Sequence, residues 1–92
     1  MAMRVARRFV VSGRVQGVGF RWFIQEFAAL EGAAGWVRNR PDGGVEALVQ
    51  ADVEAVVRIE RQIRRGPPSA VVERVDVWDE PTSDRLGPFV IQ

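Results

Sequence analysis

The sequence predicts an α+β fold, with two helices on one face of a mostly antiparallel sheet, in a single domain spanning residues 1–92. Three observations predict it. Apolar residues alternate along four short segments. They recur at helical spacing along two others. Glycine- and proline-rich turns separate the six. Ninety-two residues can bury one core and not two.

Residues 4–13 read as a strand, with Val5, Phe9 and Val11 on one face, Arg7 among them, and Val10 and Ser12 on the other. Gly13 to Gly19 is a loop with three glycines. Phe20 to about Leu30 reads as a helix, because Phe20, Phe23, Ile24, Phe27 and Leu30 form one apolar stripe, and Gly32 stops it. Trp36-Val37-Arg38-Asn39, within Gly35 to Arg40, reads as a strand, Pro41-Asp42-Gly43-Gly44 as a turn, and Val45 to Gln50 as the returning strand of a hairpin over 35–51. Asp52 is placed to cap a second helix whose face carries Val53, Val56, Val57, Glu60 and Ile63. Arg64 and Arg65 suit the negative end of its dipole, and Gly66-Pro67-Pro68 ends it. Ala70 to Trp78 alternates as a strand, with Val75 and Val77 on one face and Val72 and Trp78 on the other, and Pro88 to Gln92 adds a short final strand. The order βαββαβ plus a tail is a split βαβ arrangement, a ferredoxin-like α/β sandwich. That architecture hosts many activities, so function has to come from the site.

Composition excludes several chemistries. The hydrophobic fraction of 47% is that of a globular chain. With no cysteine and no histidine there is no disulfide, no thiol nucleophile, no imidazole base and no good zinc ligand set, so no metal and no cofactor are expected. All 13 basic residues are arginine, which genome composition accounts for, and no Schiff-base or phosphate-loop lysine exists. A net charge of +1 does not favour nucleic acid. No apolar run approaches the roughly 20 residues of a membrane span, and Met1-Ala2-Met3-Arg4 leads into a strand without a signal-peptide core. A cytoplasmic protein and a monomer are expected.

Gly13-Arg14-Val15-Gln16-Gly17-Val18-Gly19 joins a strand to a helix N-terminus. Glycines let such a backbone turn its N–H groups inward, and the helix dipole adds positive charge there. The loop is either a simple tight turn or a cradle for a phosphate-sized anion. In the second case Arg21, in the first helical turn, offers a planar fork of donors. The spacing fits neither a nucleotide P-loop nor a dinucleotide fingerprint.

If a phosphoryl group is held there, the residues present restrict the substrate. A phosphate ester needs a general acid for its alkoxide, whereas an acyl phosphate releases a carboxylate of pKa about 4. The attacking water can pass its proton to the substrate's own phosphoryl oxygen, so a chain without His, Cys or Lys suffices. An amide, donor and acceptor in one group, suits the task of orienting that water. Asn39 ends a strand before a turn, where it is either a turn-former or that amide.

Val11-Ser12-Gly13-Arg14-Val15-Gln16-Gly17-Val18-Gly19-Phe20-Arg21 resembles the first signature of the acylphosphatases, and Gly35-Trp36-Val37-Arg38-Asn39-Arg40-Pro41-Asp42-Gly43-Gly44-Val45 resembles the second. The resemblance extends over essentially the whole chain. It implies hydrolysis of the carboxyl–phosphate bond of a small-molecule acyl phosphate without metal or cofactor, with inorganic phosphate as product and competitive ligand. It places the phosphate cradle on the backbone of Val15, Gln16, Gly17, Val18, Gly19 and Phe20, the phosphate-binding arginine on Arg21 and the water-positioning asparagine on Asn39. Ser12 and Ala51 depart from the family pattern, which often has histidine and glycine at those places. A related domain begins much longer carbamoyl-transfer proteins, and a chain of this length is expected to be the free-standing enzyme.

Other residues are expected to be structural. Asp42 is read as a turn residue and Glu26 as solvated. Trp22 and Trp36 are read as packing residues or, less simply, walls of an acyl pocket. Arg14, Arg38 and Arg40 are read as a positive field around the site. An RNA-binding sheet is disfavoured because the strands lack a suitable aromatic pair.

Overall fold

The computed structural model describes residues 3–92, so the Met1-Ala2 part of the N-terminal reading lies outside it. Seven elements follow in order: β1 (Arg4–Arg14), α1 (Phe20–Leu30), β2 (Ala34–Asn39), β3 (Val45–Asp52), α2 (Val53–Arg65), β4 (Val71–Glu80) and β5 (Val90–Ile91). The five strands form one sheet in the order β4-β1-β3-β2-β5, antiparallel except for the β2–β5 pair. Among the described residues no helix is long and apolar enough to cross a membrane.

Alternation along β1 and β3 sends Phe9, Val11, Val45, Ala47 and Val49 to one face, where they are completely buried. Both helices cover that face. α1 contributes Phe20, Ile24 and Ala28, and α2 contributes Ala55, Val56, Ile59 and Ile63. Both helix faces are narrower than the apolar spacing suggested. Leu30 is 78% exposed and does not belong to the core stripe, because the buried line runs Phe20–Ile24–Ala28 and Leu30 lies past its end on the outer side. Val57 is likewise exposed, and Ala55 and Ile59 take the core positions of α2.

The helix ends follow local rules in part. α1 stops in a Schellman arrangement: Gly32, at φ 68°, donates to the Ala29 carbonyl (3.1 Å), and Ala33 donates to Ala28 (2.9 Å). Asp52 occupies the N-cap of α2, but its side chain makes no capping hydrogen bond. The Val53 N–H donates instead to the Met3 carbonyl (2.8 Å), so the residue just before β1 satisfies one donor of that helix end. Gly66 closes α2 by donating to Gln62.

Strict alternation also fails on β4. The β1–β4 register slips between Ser12, opposite Arg74, and Gly13, opposite Val72, so Glu73 has no partner residue. This bulge inverts the sidedness of what lies beyond it. Val72 therefore packs against the core with Val75 and Val77, while Trp78 stays on the open face. The close approach demands glycine on β1. Gly13 has φ 127°, and a Cβ there would run into the Val71 carbonyl oxygen.

Gly13→Ala is expected to cost about 2 kcal/mol or more in urea unfolding, since strain and a backbone clash coincide. Leu30→Ser is expected to change stability by less than about 0.5 kcal/mol in the same measurement.

Candidate active site

The two signature segments lie 18 positions apart, counted from Arg21 to Asn39, and the sheet brings them together. Val11 pairs with Val45 across β1 and β3, and Val45 pairs with Asn39 across β3 and β2. All three therefore point to the helix-covered face. β1 leaves this row to enter the glycine loop, and β2 ends in it at Asn39. The loop and the Asn39 side chain thus share one corner of the molecule.

The loop is anchored by its apolar residues and left open along its backbone. Val15 is buried and Val18 packs against the core. Gly17 (φ 72°) and Gly19 (φ 77°) are left-handed, and Gly19 is the N-cap of α1. The first helical hydrogen bond runs from Phe23 N–H to Gly19 O (3.0 Å). The N–H groups of Gly19, Phe20, Arg21 and Trp22 consequently have no partner inside the helix. Among the described residues, no backbone N–H from Gln16 to Gly19 donates to any backbone acceptor. A run of orphan donors at the positive end of a helix is suited to a tetrahedral anion.

The Gln16 side chain does what the sequence did not reveal. Its Nε2 donates to the carbonyls of Arg40 (2.7 Å) and Gly44 (2.9 Å), at the two ends of the β2–β3 turn. The turn is also closed by Arg40 N–H to Gly44 O (2.8 Å) and by Gly44 N–H to the Asp42 carboxylate (2.9 Å). Asp42 is thus the turn residue the sequence suggested, and the Gly44 N–H, then Arg40, holds its carboxyl below the ordinary value. A glutamine in a glycine loop carries no pattern that announces such a bridge.

Arg21 reaches from α1 toward β5. Its Nη1 donates to the Gln92 carbonyl (3.2 Å), and the Gln92 N–H donates to Val37 O on β2 (2.8 Å). Val37 and Asn39 lie on the same face two residues apart, roughly 7 Å. Arg21 is thus tied through Gln92 to β2, two residues before Asn39. A pocket of about 480 Å³ lined by Arg38, Asn39, Arg40, Pro41 and Glu46 lies on the Arg38–Glu46 side of the turn, away from the loop and Arg21.

Three expectations about the surroundings change. Trp22 does not pack into the core: it is 68% exposed, on the side of α1 opposite the buried line. Trp36 lies on the open face of the sheet, beneath the Arg38 guanidinium (5.0 Å to the ring centre), because its place in the strand has the opposite parity to Val37 and Asn39. Arg38 and Arg40 are not a free positive field. Glu46, with its side chain 6% exposed, pairs with Arg38 (2.9 Å), Arg8 (3.1 Å) and Arg40 (3.5 Å), and Arg40 also meets Asp42 (3.1 Å). On the open face the central strands present Arg8, Val10, Glu46 and Leu48, and the second exposed tryptophan, Trp78, is covered by Arg8 at 4.4 Å. This is not the bare aromatic pair that stacks bases.

On a ferredoxin-like scaffold the geometry sets a run of undonated N–H groups at a helix N-terminus beside an arginine. Comparison with known proteins specifies the family. The acylphosphatase family pattern matches residues 7–91. An acylphosphatase of Anaeromyxobacter dehalogenans is 50% identical over 93 residues, covering 100% of this chain and 99% of that one. The crystal structure of acylphosphatase from Bacillus subtilis superposes with a TM-score of 0.91 at 36% identity, covering 96% of this chain and 98% of that one. Full-length HypF in its phosphate- and nucleotide-bound form also matches, with a TM-score of 0.86 at 26% identity, over 100% of this chain and 12% of that one. The chain belongs to the acylphosphatase family, and with it to the hydrolases of acyl phosphates.

Two measurements check the scaffold of this corner. Gln16→Ala, which removes both bridges to the turn, is expected to cost about 1–2 kcal/mol in urea unfolding and to lower turnover. Burial pushes the Glu46 carboxyl up, but hydrogen bonds from Arg38 and Arg8 and the charges of Arg38 and Arg40 outweigh it and hold it below the ordinary value. A depressed carboxyl contributes stability that is present above the ordinary value of about 4.3 and lost as pH falls through the folded one. Melting temperature is therefore expected to drop below about pH 4. Glu46→Gln is expected to flatten part of that drop, with Glu31 and Asp42, also depressed, supplying the rest.

Proposed function

We propose that the chain, monomeric and cytoplasmic, hydrolyses small-molecule acyl phosphates without metal or cofactor. The backbone of Val15, Gln16, Gly17, Val18, Gly19 and Phe20 together with Arg21 holds the phosphoryl group, and Asn39 positions the attacking water. The observation that carries this reading is the run of undonated N–H groups from Gln16 to Gly19, opening at the N-terminus of α1 beside Arg21.

The chemistry follows from charge. The phosphoryl oxygens face backbone dipoles and a guanidinium fork, which stabilise negative charge as it redistributes in the transition state. The Asn39 amide accepts from the water and donates to it, aligning it behind the phosphorus. Oxygen of the water bonds to phosphorus while the bond from phosphorus to the acyl oxygen breaks. The carboxylate leaves with the bonding pair, and the water proton passes to a phosphoryl oxygen, giving inorganic phosphate. Phosphate then competes with substrate for the same cradle.

Hydrolysis of benzoyl phosphate with a metal chelator present tests the reading. Arg21→Ala is expected to lower kcat/KM by at least ~10²–10³ and to remove inhibition by inorganic phosphate. Asn39→Ala is expected to keep that inhibition while losing turnover. Retention of most activity in Asn39→Ala would sink the role given to Asn39, and loss of activity in chelator would sink the metal-free mechanism.

A further inference from the structure

Among the described residues Asn39 has no carboxylate or amide partner holding its side chain, and it is the last residue of β2, with five residues before β3 begins. Strand ends of this kind fray. On the cradle side the backbone is held by Gln16. On the other side of the sheet lies a second restraint that the mechanism above does not use.

Glu46 stands opposite Arg38 in the β2–β3 register, with its carboxylate sunk among the open-face side chains. Its Oε1 accepts both Nε (3.1 Å) and Nη2 (2.9 Å) of Arg38 and lies 3.5 Å from Nη1 of Arg40. Its Oε2 accepts from Nη1 of Arg8 (3.1 Å), and Arg8 is itself held by Glu80 (3.0 Å) and stacked on Trp78. One carboxylate therefore grips the residues immediately before and after Asn39. Alternation puts both arginines on the open face and the Asn39 side chain on the opposite one. Holding positions 38 and 40 from below fixes the direction in which residue 39 projects.

We infer that Glu46 is a positioning residue for the hydrolytic step, acting through Arg38 and Arg40 to hold the Asn39 amide at the place of the attacking water. The inference rests on the water-positioning reading of Asn39. It separates two halves of the site. Phosphate is held by the loop and Arg21; the loop reaches the turn only through the Gln16 bonds to the main-chain carbonyls of Arg40 and Gly44, and among the described residues no hydrogen bond or ion pair joins the loop or Arg21 to Glu46. Loosening the clamp should leave phosphate binding intact and disturb only the step that needs an aligned water. A displacement of about 1 Å at such a group can cost ~10²-fold, so a partly loosened one should cost about tenfold.

The test is a double-mutant cycle on benzoyl phosphate hydrolysis with Glu46→Gln, Asn39→Ala and the double variant, reading kcat, KM and the inhibition constant of inorganic phosphate. Glu46→Gln keeps the shape and one acceptor but removes the charge that gathers three arginines. The expected result is a kcat about tenfold lower, KM and the phosphate constant within about twofold of wild type, and no further loss when Glu46→Gln is added to Asn39→Ala. A Glu46→Gln protein that melts lower but keeps its kcat would overturn the inference, leaving Glu46 a structural ion-pair partner, and so would losses that add in the double variant. Asn39→Ala with near-normal turnover would overturn the reading of Asn39 and this inference with it. Should Glu46→Gln not fold, Arg38→Met cuts the same clamp from its half-exposed end, keeps the stem over Trp36, and carries the same expected split between kcat and phosphate binding.

Discussion

The site depends on one cross-strand row. Because β1 and β3 pair with Val11 opposite Val45, and β3 and β2 pair with Val45 opposite Asn39, the exit of the first strand and the end of the second are brought side by side. The register is strongly specified. A slip of one residue would turn Phe9, Val11, Val45, Ala47 and Val49 from the buried face to water, and no local interaction compensates such a loss. The same hydrophobic pairing that builds the core therefore aligns the loop with the amide. The placement of loop and amide is a by-product of a register the fold cannot change cheaply.

Around that row the two faces of the sheet have different tasks. The helix-covered face is apolar and supplies stability, and the loop and Arg21 lie at its margin. The open face carries a continuous polar chain across four strands, from Trp78 and Glu80 through Arg8 to Glu46, Arg38 and Trp36. Charges this close to the sheet are tolerated because each has a partner and the guanidinium planes cover the indole rings. The same chain leaves no bare aromatic platform and no unbalanced positive patch of the kind a nucleic acid needs.

Much of the fold was legible in the residues. Element order, the Gly32 and Gly66 stops, the Pro41–Gly44 turn and the Phe20 helix start all follow from local steric and hydrogen-bonding rules. Misreadings arose where packing overrode periodicity. Leu30 and Val57 continue an apolar spacing but sit beyond the edge of the covered face. Val72 changes face because of a bulge that only the close approach of Gly13 to Val71 creates. Asp52 has the right chemistry for a cap, yet a carbonyl from Met3, remote in sequence, supplies the bond instead. Trp22 looked like a packing residue because of its size, but helix rotation turns it outward, whereas Trp36 packs under Arg38 on the open face that strand parity gives it.

The candidate residues divide in the same way. Arg21, Asn39 and the glycine loop were visible because each carries its chemistry locally: a fork of charge, an amide, and a backbone free to turn. Gln16 and Glu46 were not visible as supports, since a glutamine or glutamate acquires such a role only from what lies across the fold. The sequence by itself determined the family, the architecture and the types of group available, because turn chemistry, helical and strand spacing and the two signature segments are local. Only the tertiary structure decided which of those groups meet, because sheet register and strand parity, set by burial over the whole chain, place Asn39 beside the loop and Arg38 and Arg40 on the opposite face.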